Sequence, residues 1–406
     1  MDSKQIIIIG GGAAGFFVAI NCAENYPDHT VLLLEKSSKV LAKVKVSGGG
    51  RCNLTNACMD NNLLVKNYPR GEKELRNVFS RFSVNDTINW FEKRGVKLKT
   101  EDDGRMFPES DNSETIVNCL LQEAKKNKVQ VKLNVDIEEI IINDNGCFTL
   151  KLNGGGLFIC EKLIIASGGS SNEAAYNWLK KLGHTINKPV PSLFTFNIPN
   201  NSITSLMGVS VPYTKVKIAN TKIETDGPLM ITHWGLSGPA ILKSSAWGAR
   251  QLSDMEYNFT ACINWLPKYT EEKLRIEFAN TRAENGAKLM INYSPLELPK
   301  RLWEYLLIKT NISEVTRWGD LPKKNANVLI NTIINDGYKV QGKTTFKEEF
   351  VTCGGISLKE INLSTMQSKI VPNLYFAGEV IDVDGITGGF NFQNAWSTGW
   401  VAALCQ

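Results

Sequence analysis

With 406 residues, of which 43% are hydrophobic and 21% charged, the chain is long enough for two or three domains and too apolar for a disordered protein. Its formal net charge of +5 suits an anionic ligand or an RNA partner but is too small for a dedicated nucleic-acid arm, and we expect no DNA partner. The nine cysteines, an odd number without CxxC spacing, argue against a disulfide framework and a zinc site, and they favour a cytoplasmic location.

The chain begins with the pattern of a βαβ unit. Gln5–Ile9 is short, β-branched and apolar on both faces, which predicts a buried parallel strand. Glycines follow, then FFVAINCAEN, which predicts a helix, and TVLLLEK, which predicts a second buried strand ending at Glu35. We expect neither a signal peptide nor a membrane-spanning run, and therefore no membrane association.

Short helices and a small sheet are predicted next. Apolar spacing indicates two helices within residues 73–94, and Ser83 with Asp86 forms a capping-box variant at the start of the second. A turn region over residues 101–114 precedes a helix from about Glu114 to Lys126. Residues 129–161 predict a small antiparallel meander, and LIIASGGSS then predicts a buried strand and a glycine turn.

The residue pattern changes near Lys188, and strand signals return near Phe346. Residues 190–266 look β-rich and residues 267–345 look helical, whereas the last segment predicts a strand and a glycine-led helix that complete the first sheet. We therefore predict an α/β protein in which one nucleotide-binding domain, residues 1–189 and 346–406, is interrupted by an inserted domain, residues 190–345.

The first glycine motif predicts a dinucleotide site. Gly10, Gly12 and Gly15 follow a strand and open a helix, which suits a tight turn, close approach of a pyrophosphate and close helix packing, respectively. Glu35 is placed to accept hydrogen bonds from ribose hydroxyls. The alternative is a glycine-rich turn that binds nothing.

Three further segments indicate that the dinucleotide is FAD rather than NAD. SGGGRCNLTN, Ser47 to Asn56, offers backbone donors and polar side chains to a flat ring, unless it is a flexible surface loop. ASGG follows the strand LII, and in the tail Glu379 could bind ribityl hydroxyls. Gly388 and Gly389 open a helix whose N–H groups would face the flavin pyrimidine, although a two-glycine start could also be mere packing.

The order of these motifs, from GGGAAG through SGGGRCNLTN, GRMFPES, ASGG, THWGLSGPAIL and VTCGGISLKEI to AGEVIDVDGITGGFNFQNAW, resembles the bacterial YhiN/BaiN-like flavoproteins over essentially the whole chain. The family is also described as NAD(P)/FAD-dependent oxidoreductases or aminoacetone-oxidase-family enzymes. The resemblance implies a glutathione-reductase-type, Rossmann-like FAD-binding domain with an inserted β-barrel-like and helical domain, and noncovalent FAD. By position, it assigns the cofactor role to Gly10, Gly12, Ala14, Gly15, Glu35, Lys36, Arg51, Cys52, Asn53, Gly378, Glu379, Gly389, Phe390 and Asn391.

Three side chains are candidates for catalysis. Cys52 is either a proton donor whose pKa the loop and Arg51 lower, or a small buried hydrophobe. Arg105 binds an anionic or carbonyl group near the flavin, or it is an ion-pairing surface residue. His233 is aimed at a ligand, or it is a partly buried histidine bonded to backbone, whereas His29 and His184 are expected to be solvated.

Electrons have two predicted routes. The sequence lacks a second strand-associated GxGxxG and a cysteine pair around Cys353, so NAD(P)H would act as a transient donor or the substrate itself would be the reductant. Activities implied by the resemblance are reduction of a conjugated C=C bond, in uracil of ribosomal RNA or in an unsaturated keto-steroid, and oxidation of a small amine. We predict NAD(P)H-driven C=C reduction on a small-molecule or RNA substrate. The alternatives are an amine oxidase and a non-catalytic FAD-bound module that recognises RNA or protein. The sequence does not fix the oligomeric state.

Overall fold

The computed structural model describes residues 4–345 and 351–405, which form two compact units. The first unit contains residues 4–192 and 351–405, and the second is Leu193–Thr345. The units therefore divide three residues after the predicted boundary at 189/190. The strand signal predicted at Phe346 lies outside the described residues.

The first unit is built on a seven-stranded sheet whose five-strand core is parallel. Gln5–Ile9 lies at its centre, between Thr30–Leu34 and Lys162–Ile165, and its isoleucines are buried on both faces. The predicted βαβ start and the return of the tail to the same sheet are both confirmed. The strand order is Ile361–Asn362, Gln367–Ser368, Leu374–Phe376, Lys162–Ile165, Gln5–Ile9, Thr30–Leu34, Gln130–Lys132.

Two helices pack on this sheet and against each other. The first, Ala13–Asn25, packs against the last, Phe390–Ala403, with Phe17 and Trp396 ring centroids 5.3 Å apart. The two helices are in van der Waals contact at Gly399, where a Cβ would lie 3.4 Å from the Ala14 carbonyl oxygen. A helix from each end of the chain therefore lies in the same layer.

The other elements of the first unit agree with most predictions. Ser83 and Asp86 form a capping box at the start of Val84–Glu92, and the predicted helix is Glu114–Lys126. The remaining α-helices are Ala42–Gly50, which is interrupted by non-helical residues 47–49, Asn61–Leu64, Leu75–Arg81 and Asn177–Lys181. The 3₁₀ turns are Val65–Asn67, Glu173–Tyr176, Leu358–Glu360 and Gly378–Val380.

Three small antiparallel sheets complete the unit, and two predictions about them were wrong. Arg105–Pro108 is a strand rather than a turn because Met106 and Phe107 are buried, and Gln130–Lys132 joins the parallel sheet beside Thr30–Leu34 instead of the meander. The sheets are Thr55–Asn56 with Arg105–Pro108 and Leu98–Thr100, Ile137–Ile142 with Phe148–Leu152 and Leu157–Cys160, and Ile186–Pro191 with Thr352–Ile356.

His184 is not the solvated residue that the sequence suggested. Its ring is buried against Phe376, and its Nε2 lies 2.9 Å from the Ser368 hydroxyl. Burial lowers the pKa of His184 because the charged imidazolium would lose its hydration. We therefore assign it a packing role.

The second unit contains a curled antiparallel sheet. The strands at the two ends of the order, Asp336–Gln341 and Lys343–Thr344, are separated by Gly342 alone, so the sheet must curl to bring its edges together, as in a barrel. The strand order is Asp336–Gln341, Asn258–Asn264, Ser210–Ile218, Glu224–Ile231, Gly235–Ser237, Thr195–Asn197, Lys343–Thr344.

Helices pack on this sheet around one hydrophobic core that includes Trp265, Trp303 and Trp318. The helical stretch ends before residue 336, earlier than predicted, because Asp336–Gln341 alternates buried and exposed residues as a strand does. The helices are Pro239–Trp247, Ala249–Asp254, Glu271–Asn285, Lys300–Lys309 and Lys323–Ile334, with 3₁₀ turns at Ser202–Leu206 and Trp318–Asp320. Across residues 4–345 and 351–405, no helix is long and apolar enough to cross a bilayer.

Candidate functional site

The first glycine motif lies at the carboxyl end of the central strand. Gly10 has a φ of +115°, and a Cβ there would lie 2.3 Å from the Ala166 carbonyl oxygen; at Gly15 a Cβ would lie 1.8 Å from the Gly10 carbonyl oxygen. A Cβ at Gly12 would meet no atom within 4 Å. Chain packing therefore requires two of the glycines, whereas Gly12 leaves an opening at a helix N-terminus, the arrangement that a pyrophosphate uses.

Glu35 stands beside this opening. Its carboxylate accepts hydrogen bonds from the backbone N–H groups of Gly11, at 2.6 Å, and Ser37, at 2.8 Å, which fix its orientation. Lys36 is mostly exposed and pairs with Asp136 at 3.1 Å. A cavity of about 440 Å³ adjoins these residues and is lined in part by the ASGG turn. It is lined by residues that include Gly10, Glu35, Asp136, Ser167, Gly169 and Trp178.

The second loop is hydrogen-bonded to the start of the C-terminal helix, an arrangement that we call the clasp and define as residues 53–56 with residues 388–396. With its amide oriented to satisfy both groups, Asn53 accepts from the Gly389 N–H at 2.9 Å and donates to the Thr55 carbonyl at 3.0 Å. Asn56 Nδ2 donates to the Gly388 carbonyl at 3.0 Å. The contact is close, since a Cβ at Gly389 would lie 2.3 Å from the Thr55 carbonyl oxygen.

Two side chains of the helix complete the clasp. Thr55 Oγ1 donates to Gln393 Oε1 at 2.6 Å, and Trp396 Nε1 donates to the Leu54 carbonyl at 2.9 Å. Because these groups are buried, they lose their hydrogen bonds to water when the protein folds. The Thr55–Gln393 and Trp396–Leu54 hydrogen bonds compensate for that loss. The sequence analysis missed Gln393 and Trp396; their only signal was the presence of polar residues in an otherwise apolar helix, FNFQNAW.

Phe390 and Asn391 support the turn that leads into this helix. The Asn391 amide donates to the Gly385 carbonyl at 2.9 Å and accepts from the Gly385 N–H at 2.8 Å. The Phe390 carbonyl accepts from the Tyr68 hydroxyl at 2.6 Å, and the two rings pack edge to face. Both residues therefore hold the helix N-terminus in place through the protein itself.

Gly378 brings the last motif against the first. It has a φ of +74°, and a Cβ there would lie 2.7 Å from the Ala14 Cβ. The carboxylate of the adjacent Glu379 is already engaged, because it accepts from the Thr352 N–H at 2.7 Å and from Lys43 Nζ at 2.9 Å. A ribityl hydroxyl at Glu379 would thus share an oxygen with one of these donors.

Two further acids of the same segment bind the strand that leaves the first unit. Asp382 accepts a hydrogen bond from Asn187 Nδ2 at 2.6 Å. Asp384 accepts one from the Ser192 hydroxyl and two from the Arg70 guanidinium, and the Nε–Oδ1 distance of this pair is 2.5 Å. Asp384 is fully buried. Burial raises its pKa, while Arg70 and Ser192 act in the opposite direction. Together with Glu379, these acids tether both Ile186–Pro191 and Thr352–Ile356.

The guanidinium carbons of Arg51 and Arg105 lie 4.0 and 5.5 Å, respectively, from the centroid of the Phe107 ring. Glu101 bridges them, at 2.7 Å from Arg51 Nη1 and 2.8 Å from Arg105 Nη2. Asp103 also binds Arg105, at 2.7 Å. The ion pairs of Arg105 agree with its interpretation as an ion-pairing residue. The guanidinium of Arg51 is also paired, and its contact with Glu101 stabilises the loop.

Cys52 lies in the same loop with no exposed surface and with a φ of +59°, which is unusual for a side chain other than glycine. Burial raises the pKa of its thiol to about 12, against a smaller lowering by Ser47. The expectation that the loop and Arg51 lower this pKa is therefore wrong, because burial raises it. The thiol remains protonated at neutral pH and is a poor acid.

His233 belongs to the second unit. It is exposed, and its ring packs edge to face on Trp234 with centroids 4.1 Å apart. It is therefore not the partly buried histidine that one of the two interpretations required. In the described ranges, no three His, Cys, Asp or Glu side chains are grouped so that they could hold a metal ion.

The residues of the first unit fit FAD. The helix N-terminus with its opening at Gly12 suits the pyrophosphate, and the oriented carboxylate of Glu35 beside the cavity suits a ribose. In the second glycine loop, Ser47–Asn56, a Cβ at Gly49 or Gly50 would meet no atom within 4 Å. The loop therefore leaves room beside it for a flat group such as the flavin ring.

Comparisons with known proteins agree with this arrangement. The family model described as HI0933-like protein Rossmann domain matches residues 4–405. The chain is 32% identical to the ribosomal RNA dihydrouridine synthase of Escherichia coli (strain K12), with 99% of this chain and 98% of that protein covered. It is 28% identical to the 3-dehydro-bile acid delta(4,6)-reductase of Clostridium scindens (strain ATCC 35704 / DSM 5676 / VPI 13733 / 19), with 98% of each covered.

The fold is also found among solved structures. The 3-ketosteroid-delta4-(5alpha)-dehydrogenase of Rhodococcus jostii RHA1 superposes with a TM-score of 0.52 at 11% identity, covering 99% of this chain and 98% of that one. An identity this low concerns the fold alone. With the parallel sheet and the family model, it confirms the predicted α/β fold class.

Substitutions at two neighbouring glycines should separate folding from cofactor binding. We expect Gly15→Ala to lower the free energy of unfolding by about 3 kcal/mol or more, because its Cβ would overlap the Gly10 carbonyl oxygen. We expect Gly12→Ala to change that free energy by less than about 0.5 kcal/mol and yet to raise the Kd for FAD about tenfold or more, because its methyl group enters the opening. Urea denaturation of the apoprotein and fluorescence titration with FAD measure the two quantities. Equal effects of both substitutions on stability would contradict this assignment.

Removal of Asp384 should be costly, and joint removal of its partner should be less so. Asp384→Ala leaves the Arg70 charge buried without its partner and is expected to lower the free energy of unfolding by about 3–5 kcal/mol. The double variant Arg70→Met/Asp384→Leu should recover most of this loss, because it removes both charges and refills the space. Urea denaturation of the three proteins checks the prediction. A double variant as unstable as Asp384→Ala would show that the pair is not the cause.

Proposed function

The chain belongs to the HI0933-like family and is an FAD-dependent oxidoreductase, and from this premise we propose that it uses NAD(P)H to reduce an activated C=C bond, with uracil in ribosomal RNA as its substrate. The observation that carries the proposal is similarity over the full length to two relatives whose names both describe saturation of a C=C bond. We choose RNA over a steroid because the relative that acts on ribosomal RNA has the higher identity. This substrate also agrees with the cytoplasmic location that the cysteine content predicts.

We assign the cofactor cradle to the segments that the first unit brings together. The pyrophosphate would bind at Gly12 and at the first turn of the helix, which includes Ala14, while Gly10 and Gly15 would allow the tight turn and the close packing beneath it. Glu35 would bind a ribose, and the loop Ser47–Asn53 would lie beside the flavin ring. Arg51, Cys52, Asn53, Phe390 and Asn391 would act indirectly, because their described contacts hold the loop and the helix N-terminus. Lys36, paired with Asp136, would lie beside the ribose that Glu35 binds.

When bound, FAD supplies hydride chemistry at its isoalloxazine ring. The protein would assist with the first turn of Phe390–Ala403, whose N–H groups have no partner within the helix and present the positive end of its dipole. Asn53 and the Tyr68–Phe390 contact fix that terminus in advance, so no reorganisation is needed when negative charge develops nearby.

The pKa of Cys52 argues against its use as the proton donor. A buried thiol with a pKa of about 12 transfers a proton poorly at neutral pH, so we assign Cys52 to packing. Arg105 is engaged by Glu101 and Asp103. We retain His233 as the candidate proton donor, because its ring is exposed to an incoming substrate.

The proposal is tested by anaerobic mixing of the yellow holoprotein with NADPH and, separately, NADH, followed by addition of ribosomal RNA transcribed in vitro, which lacks modified bases. We expect the flavin absorbance to bleach with one of the nucleotides, and dihydrouridine to appear in the RNA by mass spectrometry. Cys52→Ala should retain turnover within about twofold, whereas His233→Gln should lower turnover about tenfold or more without changing the bleaching rate.

Three outcomes would contradict the proposal. Bleaching without dihydrouridine would reject the RNA substrate and direct the search to other unsaturated acceptors. Bleaching by a small amine, with hydrogen peroxide formed in air, would identify an amine oxidase. Absence of bleaching by any of these reductants would favour a non-catalytic FAD-bound module.

A further inference from the structure

The net positive charge of the protein resides in the second unit. Residues 193–345 contain 18 Lys and Arg against 13 Asp and Glu, which accounts for the whole net charge of +5. The rest of the chain contains 28 of each kind and is neutral overall. A polyanionic partner would therefore be attracted to the second unit rather than to the unit that carries the cofactor motifs.

Within this unit, five cations lie at one end of the helical part, which we call the basic end. It lies where the helix Glu271–Asn285 ends and the helix Lys323–Ile334 begins, and all five side chains are exposed. Two acids, Glu284 and Asp320, lie in the same two segments, residues 282–289 and 317–324, and leave a net charge of +3. The basic end consists of Arg282, Lys288, Arg317, Lys323 and Lys324.

Backbone contacts bring these two segments together. The Trp318 N–H donates to the Lys288 carbonyl at 3.1 Å, and the Gly319 N–H donates to the Gly286 carbonyl at 2.8 Å. Arg282 Nη2 donates to the Gly319 carbonyl at 2.7 Å. Trp318 is completely buried, so the segment that carries Arg317 is anchored in the core. The basic end is thus a fixed arrangement of charges rather than a set of flexible tails.

These cations contribute little to the stability of the fold. Lys323 and Lys324 begin a helix, where the positive end of the dipole disfavours cations, and its first turn contains no acid and no capping side chain. Within the part of the chain that the structure describes, none of the five forms an ion pair, although Arg282 binds a backbone carbonyl and Lys288 lies 4.1 Å from the centre of the Tyr293 ring. Their arrangement is better explained by an external anion.

We propose that the basic end binds the phosphate backbone of the RNA substrate. This inference rests on the proposed function, and it assigns affinity for RNA to the second unit, while the first unit holds FAD. Clustered Lys and Arg, together with unpaired N–H groups at a helix N-terminus, are the groups that contact phosphates in protein–nucleic acid complexes. Such contacts position an RNA without reading its sequence, so they supply affinity and orientation rather than base selection.

The experiment is a salt titration of RNA binding by the holoprotein, with ribosomal RNA transcribed in vitro as the probe and filter retention as the readout. Loss of two phosphate contacts in Lys323→Gln/Lys324→Gln should raise the Kd about fivefold to tenfold at about 0.1 M KCl. It should also make the slope of log K against log [KCl] less negative by about 1 to 2.

The matched control is Lys217→Gln/Lys339→Gln, which removes two exposed lysines on strands of the same unit. It should bind as the wild type does. Bound FAD and the thermal midpoint verify that both variants are folded, and the helix-start variant should be at least as stable as the wild type, because its substitutions relieve an unfavourable dipole interaction.

The outcomes separate this inference from the proposed function. If the wild type binds RNA and the two double variants behave alike, the basic end is not the contact, while the proposed function stands. If the wild type shows no salt-dependent RNA binding, the RNA substrate is rejected and this inference with it. If polyglutamate binds in place of RNA and the slope changes in the same way, the surface binds an acidic protein, which overturns the assignment to RNA.

Discussion

The clasp between residues 53–56 and the start of the C-terminal helix is the interaction on which the proposed cofactor site depends. The helix Phe390–Ala403 is the last element of the chain, and the loop is among the first, so no local preference of either segment would bring them together. Buried hydrogen bonds from Asn53, Thr55 and Trp396 fix both the position and the direction of the helix N-terminus. In the proposed site the two glycine loops act differently: the first would bind the pyrophosphate, whereas the second both leaves room for a flat group at Gly49 and Gly50 and positions a distant helix through Asn53.

A second set of contacts links the cofactor segment to the strands that lead to and from the second unit. The acids Glu379, Asp382 and Asp384 lie within six residues of one another, and each binds a residue in or next to those strands. The segment that precedes the clasp therefore also fixes where the chain leaves and re-enters the first unit. Asp384 adds the largest constraint, because its buried pair with Arg70 loses much if either partner is removed.

Local pattern was sufficient to predict the first βαβ unit, the capping box at Ser83 and the helix Glu114–Lys126, because each depends on spacing within a few residues. Elements whose pairing is set by distant partners were predicted less well. Gln130–Lys132 reads as a meander strand but pairs with Thr30–Leu34, and Asp336–Gln341 follows three helices yet closes a curled sheet. For Cys52 the sequence left two interpretations open, and only its burial reveals the direction of the pKa shift. Gln393 and Trp396 could not be predicted, because their partners lie more than 330 residues away.

The central claim, that the second glycine loop builds the FAD site by holding the helix N-terminus, is tested most directly by the dissociation constant of FAD for Asn53→Ala. Loss of this side chain removes the cap on the Gly389 N–H and the bond to Thr55, so we predict a Kd about tenfold higher than that of the wild type, with the apoprotein still folded. An unchanged Kd in a folded variant would contradict the account, because it would show that FAD binds without the clasp.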